Sequence, residues 1–160
     1  MEVQIRPVAE ADVEALVQLS ILAWEPVFHS FRQMLGPTIY RRIWPDWKAG
    51  QRAAVKEVCQ GGERVRVWVA DVGGLVVGFV ATGLHEDLIG EVTLLAVHPD
   101  YQNRGIGTEL NRVALDAMRE AGIILAKVET AGDPSHAPAR RCYEKAGYTA
   151  LPLVRYFQEL

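Results

Sequence analysis

The residues Gln102-Asn103-Arg104-Gly105-Ile106-Gly107-Thr108 have the types and spacing of an anion site. Gly105 and Gly107 stand one residue apart, so a ligand can approach the backbone there without meeting a Cβ. An apolar run from Glu91 to Val97 leads into the turn, and an amphipathic run begins at Ile106. A helix starting at Ile106 would aim unpaired N–H groups and the positive end of its dipole into the turn, which suits phosphate. Two common nucleotide loops do not fit. A dinucleotide-binding turn wants a third glycine three residues after the second, where this chain has Leu110. A P-loop needs a lysine followed by Ser or Thr after its glycines, whereas Gly107 is followed by Thr108-Glu109.

The elements that must position this turn can be read from periodicity. Val3 to Arg6 alternates weakly and stops at Pro7, as a short strand would. Val13, Leu16, Val17, Ile21 and Trp24 recur at helical steps. Gly36-Pro37 predicts a break, followed by a helical segment from about Ile39 to Cys59 with an interruption at Pro45. Val65, Val67 and Val69 alternate with polar or aromatic residues, Gly73-Gly74 makes a turn, and Leu75 to Thr82 and Glu91 to Val97 read as strands. Three neighbouring strands on short turns predict an antiparallel meander. Ile106, Leu110, Val113, Ala114, Ala117, Met118 and Ala121 share one helix face, ended by Gly122. Ile123 to Val128 reads as a strand, His136 to Ala146 as a short helix, and Tyr148 to Leu160 as strand composition broken at Pro152. The order is α+β around one mostly antiparallel sheet.

Composition narrows the partners. The chain has 160 residues, is 49% hydrophobic and 23% charged, and carries a net charge of −3, which predicts one domain with a sizeable core and argues against nucleic acid as the main partner. Cys59 and Cys142 lack any CxxC spacing and predict reduced thiols and a cytoplasmic protein. The N-terminus lacks the apolar core of a signal peptide, and Gly73 to Leu84 is too short and glycine-rich to span a bilayer, so no membrane association is expected. His29, His85, His98 and His136 form no metal-ligand spacing, so no metal is expected.

Two motifs carry a resemblance. Gln102 to Gly107, behind Leu94-Leu95-Ala96-Val97-His98-Pro99, resembles the pyrophosphate loop Q/R-x-x-G-x-G/A of the GNAT superfamily of N-acetyltransferases. Ala139-Arg140-Arg141-Cys142-Tyr143-Glu144-Lys145-Ala146-Gly147-Tyr148 resembles that family's second motif, A-x-x-x-Y-x-K-x-G-F/Y. The resemblance covers essentially the whole chain in order of elements. It implies a single GNAT domain over 1–160, with one mostly antiparallel twisted sheet of about six to seven strands and about four to five helices. The co-substrate it implies is acetyl-CoA. The diphosphate would lie against Arg104 and the N–H groups of Gln102, Asn103, Gly105, Ile106, Gly107 and Thr108, and Leu95 and Val97 would offer backbone N–H groups to the thioester oxygen. Where many members carry an asparagine, this chain has His136, whose imidazole can supply one donor or acceptor to the cofactor.

Acetyl transfer to an amine sets the remaining requirements. An alkylamine with pKa ~10.4 is almost wholly protonated at neutral pH, so a base or a water relay must strip a proton as it attacks. By resemblance Glu91 is the candidate base, with His85, Glu86 and Glu25 through water as alternatives; a solvent-facing strand-edge carboxylate is its ordinary reading. Tyr143 is the candidate acid for the leaving thiolate, against a role as a core aromatic on the stripe Ala139, Cys142, Tyr143, Ala146. Cys142 reads as core rather than nucleophile.

Trp24, Phe28, Phe31, Tyr40, Trp44 and Trp47 crowd one N-terminal region, and large apolar side chains there serve mostly for packing. In the family this region walls the acceptor site, which makes Trp24, Glu25, Phe28 and Tyr40 candidates for acceptor contact. Arg41, Arg42 and Lys48 read as a solvated helix face. The expected acceptor is a small-molecule amine; a peptide or protein acceptor and a non-catalytic acyl-CoA sensor are the alternatives. A homodimer through the apolar tail from Leu151 to Phe157, or through the N-terminal helices as in many relatives, is also expected.

Overall fold

A computed structural model describes residues 2–160. Five strands, β1 (Gln4–Pro7), β2 (Val65–Val72), β3 (Leu75–Leu84), β4 (Ile89–Val97) and β5 (Leu125–Val128), form one sheet in sequence order. Four helices accompany them: α1 (Val13–Ile43), α2 (Trp47–Gln60), α3 (Ile106–Glu120) and α4 (Ala137–Lys145). The first three pairings are antiparallel and β4–β5 is parallel. A parallel pair needs a crossover, and α3 supplies it.

The breaks expected around the first helices have different outcomes. Gly36 takes φ 75°, ψ 163°, outside helical space, so α1 is two helical segments joined across a kink. Trp44 to Asp46 separates α1 from α2, and the Asp46 carboxylate accepts a hydrogen bond from the Ala49 N–H at 3.0 Å as an N-cap. The proline at 45 therefore marks a true boundary.

The sheet is covered on both faces. Leu16, Val17 and Leu19 of α1 and Val55 of α2 pack on Val67, Val69, Phe79, Ala81 and Ala96. On the opposite face Ile106, Leu110, Ala114 and Met118 of α3 pack on Ala70, Val77, Val80 and Val92. Close seating of α3 requires missing side chains. A Cβ at Gly90 would lie 2.7 Å from the Met118 sulfur, and one at Gly78 3.1 Å from Leu110 Cδ1.

Two register shifts re-aim side chains. Ala70 pairs with Gly78 while Asp71 pairs with Val76, leaving Val77 as the extra residue. Ala81 pairs with Leu94 while Thr82 pairs with Val92, leaving Thr93 extra in β4. Each bulge reverses the alternation beyond it. Val92 faces α3, but beyond Thr93 it is Leu94 and Ala96 that face α1 and α2.

The C-terminal region corrects the expected strand count of six to seven. Residues 149–160 form no strand, and five strands are present among the described residues. Leu151, Leu153, Val154 and Tyr156 are 75–88% exposed, and Pro152 has no N–H to give a ladder. The tail ends instead beside α1, with Glu159 3.6 Å from Arg42.

Candidate active site

β4 and β5 pair only from Ile89–Leu125 to Val92–Val128. Beyond Val92 the strands part, so Thr93 to Val97 keep β3 on one side and face a cleft on the other. The bulge at Thr93, whose hydroxyl donates to the Ala81 carbonyl at 3.2 Å, sits where the parting begins. The cleft has a volume of about 530 Å³ and is walled by α1, β4, the glycine turn, the segment after β5, and α4.

The glycine turn closes one end. Gly105 at φ 83° and Asn103 at φ 60° both occupy left-handed space, which the glycine takes without strain and an asparagine tolerates. The Gln102 amide donates to the Val97 carbonyl at 3.0 Å and pins the turn to the end of β4. Gly105 is the N-cap of α3. A Ser or Asp there would place its oxygen on the N–H groups of the first turn; a glycine leaves them to a ligand. A Cβ at Gly107 would stand 3.7 Å from Val97 Cγ2 on the cleft wall.

Of the residues the sequence singled out, Trp24, Leu95, Val97, Gln102, Asn103, Gly105, Ile106, Gly107, Thr108, His136 and Tyr143 line the cleft. The Arg104 side chain is directed elsewhere, donating to the Asp100 carbonyl at 3.0 Å with its guanidinium 5.4 Å from the Tyr101 ring centre. The cations bordering the cleft are Arg141 and Lys145 of α4, which the sequence reading did not single out.

Tyr143 is 9% exposed and meets Tyr148 edge-to-face at 5.6 Å. Burial, with lesser contributions from Cys142 and Tyr148, pushes its hydroxyl well above the ordinary phenol range. Burial likewise pushes Tyr148 up to about 12, and its hydroxyl donates to the fully buried Asn111 at 3.4 Å. Tyr143 therefore stays protonated at neutral pH, as a proton donor must. Cys142, with its thiol pushed up by burial and 4.0 Å from the Thr108 hydroxyl, is a poor nucleophile.

The opposite end is built from side chains. Trp24 lines the cleft, while Phe28 and Tyr40 belong to an aromatic stack behind it: Phe28 lies 4.4 Å from Trp47, and Phe31 5.1 Å from Trp44, ring on ring. Glu25 is exposed and 3.7 Å from Lys48. The next ring in the stack is His136, 5.6 Å from Phe31. Its Nδ1 is hydrogen-bonded to the Asp133 carboxylate. That carboxylate also accepts from Ser30 Oγ at 2.7 Å, from the Ser135 N–H at 3.1 Å and from the Ser135 hydroxyl. Burial would push Asp133 up, but the hydrogen bonds from Ser135, Ser30 and His136 outweigh it and hold the carboxyl at about 2. Sequence reasoning missed Asp133 and Ser30. The usable signal was Asp133-Pro134-Ser135, an acidic cap with proline at the next position.

Glu91 lies on the α1/α2 face of β4, outside the lining of the cleft. Its carboxylate is 3.1 Å from His85 Nε2 and 3.4 Å from Lys127 Nζ. Glu86 pairs with Arg64 at 3.1 Å. Glu129, at the end of β5, is the acidic residue that borders the cleft.

Residues 35–148 match the acetyltransferase (GNAT) family. The chain belongs to that family. A mycothiol acetyltransferase of Thermomonospora curvata is 37% identical over 92 residues, which is 58% of this chain and 30% of the relative. The matched stretches make up 19–30% of the length of the mycothiol acetyltransferases that the chain resembles. Among solved structures, the PaiA N-acetyltransferase of Thermoplasma acidophilum in complex with coenzyme A superposes with a TM-score of 0.74 at 19% identity, covering 93% of this chain and 91% of that one. The aminoglycoside N-acetyltransferase AAC(6')-Iy, in complex with the bisubstrate analogue CoA-S-monomethyl-acetylneamine, superposes at 0.68 with 14% identity, covering 100% and 99%. The five-stranded GNAT sheet here has the fold of these neighbours.

Proposed function

We propose that this GNAT domain transfers an acetyl group from acetyl-CoA to the primary amine of a small molecule. The observation that carries the reading is the cleft. It joins an uncapped helix N-terminus and the cations Arg141 and Lys145 at one end to a parted strand edge and a protonated buried tyrosine. These features fit coenzyme A. The N–H groups behind Gly105 and the two cations suit a diphosphate, and the free edge of β4 from Thr93 to Val97 suits an extended amide-bearing arm.

When bound, acetyl-CoA supplies a thioester whose carbonyl carbon accepts the amine. The chain's own residues do the rest. Backbone N–H groups near Leu95 and Val97 stabilise charge on the thioester oxygen. Tyr143 donates a hydrogen bond and then its proton to the leaving sulfur. The desolvation that raises the phenol acts on a thiolate in the same cleft, which keeps the two within exchange range. Glu91 can draw on the amine only through intervening water from beside His85 and Lys127.

A small acceptor is supported by the relatives, a mycothiol acetyltransferase and an aminoglycoside N-acetyltransferase, and by a cleft of modest volume. Cys59 and Cys142, both free, fit a reducing cytoplasm. The exposed apolar tail from Leu151 to Phe157 fits a homodimer, and sedimentation at micromolar concentration distinguishes one from a monomer. The function itself is tested by offering acetyl-CoA with panels of small amines and of peptides and following thiol release. Turnover of small amines is the expected result. Preference for peptides replaces the acceptor class, and tight cofactor binding without turnover on either panel replaces the reaction with sensing.

A further inference from the structure

Asp133 and His136 lie on the 3-10 turn Pro134–His136 and its cap, between β5 and α4, and are held against α1 by Ser30 and Phe31. The sequence offers His136 only as a cofactor contact, and Asp133 has had no role. We propose that His136 takes the proton of the acceptor amine and that Asp133 is its positioning residue. The assignment rests on the acetyl-transfer reading above.

The tautomer carries the argument. Asp133 is ionised and can only accept; it accepts from Ser30, from the Ser135 N–H and from the Ser135 hydroxyl, so Nδ1 of His136, which also lies 3.3 Å from that hydroxyl oxygen, is the donor in its pair with the carboxylate. A neutral imidazole with its proton on Nδ1 has its lone pair on Nε2. No described residue hydrogen-bonds Nε2. The ring borders the cleft and is held flat by Phe31, which is itself stacked on Trp44. An oriented imidazole thus borders the cleft from the turn between β5 and α4, on the same side as Trp24 of α1.

The charged groups around it are consistent with that role. Arg140 of α4 donates to the carbonyls of Ala131 and Asp133 at 2.6 and 2.8 Å rather than to the carboxylate. α1 meets the pair with the neutral Ser30 and Phe31, and the cations Arg141 and Lys145 of α4 border the same cleft. The competing bases are less well placed. Glu91 is engaged by His85 and Lys127 off the cleft, and Glu129 is exposed at its border. The step balances. The ammonium gives one proton to Nε2, and exchange with water then removes it from His136. The freed amine nitrogen bonds to the carbonyl carbon, the carbon–sulfur bond breaks with its electron pair on sulfur, the Tyr143 proton goes to that sulfur, and the second nitrogen proton returns through water to Tyr143.

Two measurements test this. The first compares His136→Gln, Asp133→Asn, Glu91→Gln and Glu129→Gln with the unaltered chain, using phenethylamine, protonated at neutral pH, and methoxyamine, which is not. His136→Gln should lower kcat/KM for phenethylamine on the order of 100-fold and abolish the acidic limb of its pH profile. It should cost methoxyamine less than about tenfold and leave acetyl-CoA affinity within about threefold. Glu91→Gln and Glu129→Gln should keep the limb. The second is the imidazole 15N NMR spectrum of the unaltered chain, which should show His136 with its proton on Nδ1, and a mixed tautomer in Asp133→Asn. Equal losses for both amines, an unchanged pH profile in His136→Gln, or a proton resident on Nε2 overturns the assignment alone. Failure of the unaltered chain to acetylate any amine overturns the acetyl-transfer reading and this assignment with it.

Discussion

At the glycine-turn end of the cleft the groups that face a ligand belong largely to the backbone: the N–H groups behind Gly105 and the free edge of β4 after Thr93. At the α1 end they are side chains, Trp24 and His136, the latter held by Asp133, Ser30 and Phe31. The first end presents what every extended, phosphate-bearing ligand offers to bind. The second presents a particular surface to a particular amine. One fold can therefore keep its donor and change its acceptor by altering only the second end.

Substitutions can break or sharpen this contrast. The largest effect should come from Tyr143→Phe, which removes a hydroxyl that makes no hydrogen bond among the described residues: kcat should fall on the order of 100- to 1,000-fold with acetyl-CoA affinity unchanged, read by steady-state kinetics and calorimetry. Undiminished turnover would remove the tyrosine from the chemistry. Next, Gly107→Val puts a branched side chain into the backbone-built end and should weaken acetyl-CoA binding by about 10- to 100-fold while leaving thermal stability nearly unchanged, because beyond its chain neighbours and its own helix backbone the new Cβ meets only Val97 Cγ2, at 3.7 Å. Retained affinity would mean that the turn does not hold the diphosphate.

A smaller effect is expected at the side-chain end. Asp133 has its carboxyl lowered from 3.8 to about 2, so its contribution to stability is present above 3.8 and is lost as pH falls through about 2. Asp133→Asn should therefore cost about 2 kcal/mol in urea unfolding at pH 7, and the gap to the unaltered chain should close between pH 5 and pH 2. A gap constant with pH would assign the cost to packing. The smallest effect belongs to Asn103→Gly, which keeps the left-handed backbone at φ 60° and should change both stability and acetyl-CoA affinity by less than about 0.5 kcal/mol. A larger loss of affinity would show that the asparagine side chain, rather than the turn, touches the ligand.

The same contrast decides what could be read from the sequence. Gly105, Gly107 and the helix face from Ile106 to Met118 announce themselves, because backbone conformation leaves a mark on residue type and period. The strands were legible for the same reason, each within a few residues of its true bounds. The cleft's other end was not. Ser30 and Asp133 lie 103 positions apart and meet only through the packing of α1 on the turn before α4. Arg104, the evident cation of the motif, is drawn to Asp100 and Tyr101, while Arg141 and Lys145 reach the cleft from α4, whose apolar stripe Ala139, Cys142, Tyr143 and Ala146 marks a packed face but not which flanking cations border a ligand. The tail misled for a related reason. Its residues have strand composition, but edge pairing depends on a partner, which composition does not encode.

The extra residue at Thr93 has a consequence for how this site can change over time. Excising it would return Ala81 and Thr82 to an unbroken ladder with β4, and every side chain beyond would swap faces. Leu94 and Ala96 would leave the layer under α1 and α2, and Leu95 and Val97 would enter it. Loss of the open strand edge is thereby tied to collapse of a hydrophobic layer, so a lineage cannot shed its donor slot by a single small deletion and remain folded. The acceptor end carries no such insurance and is free to drift.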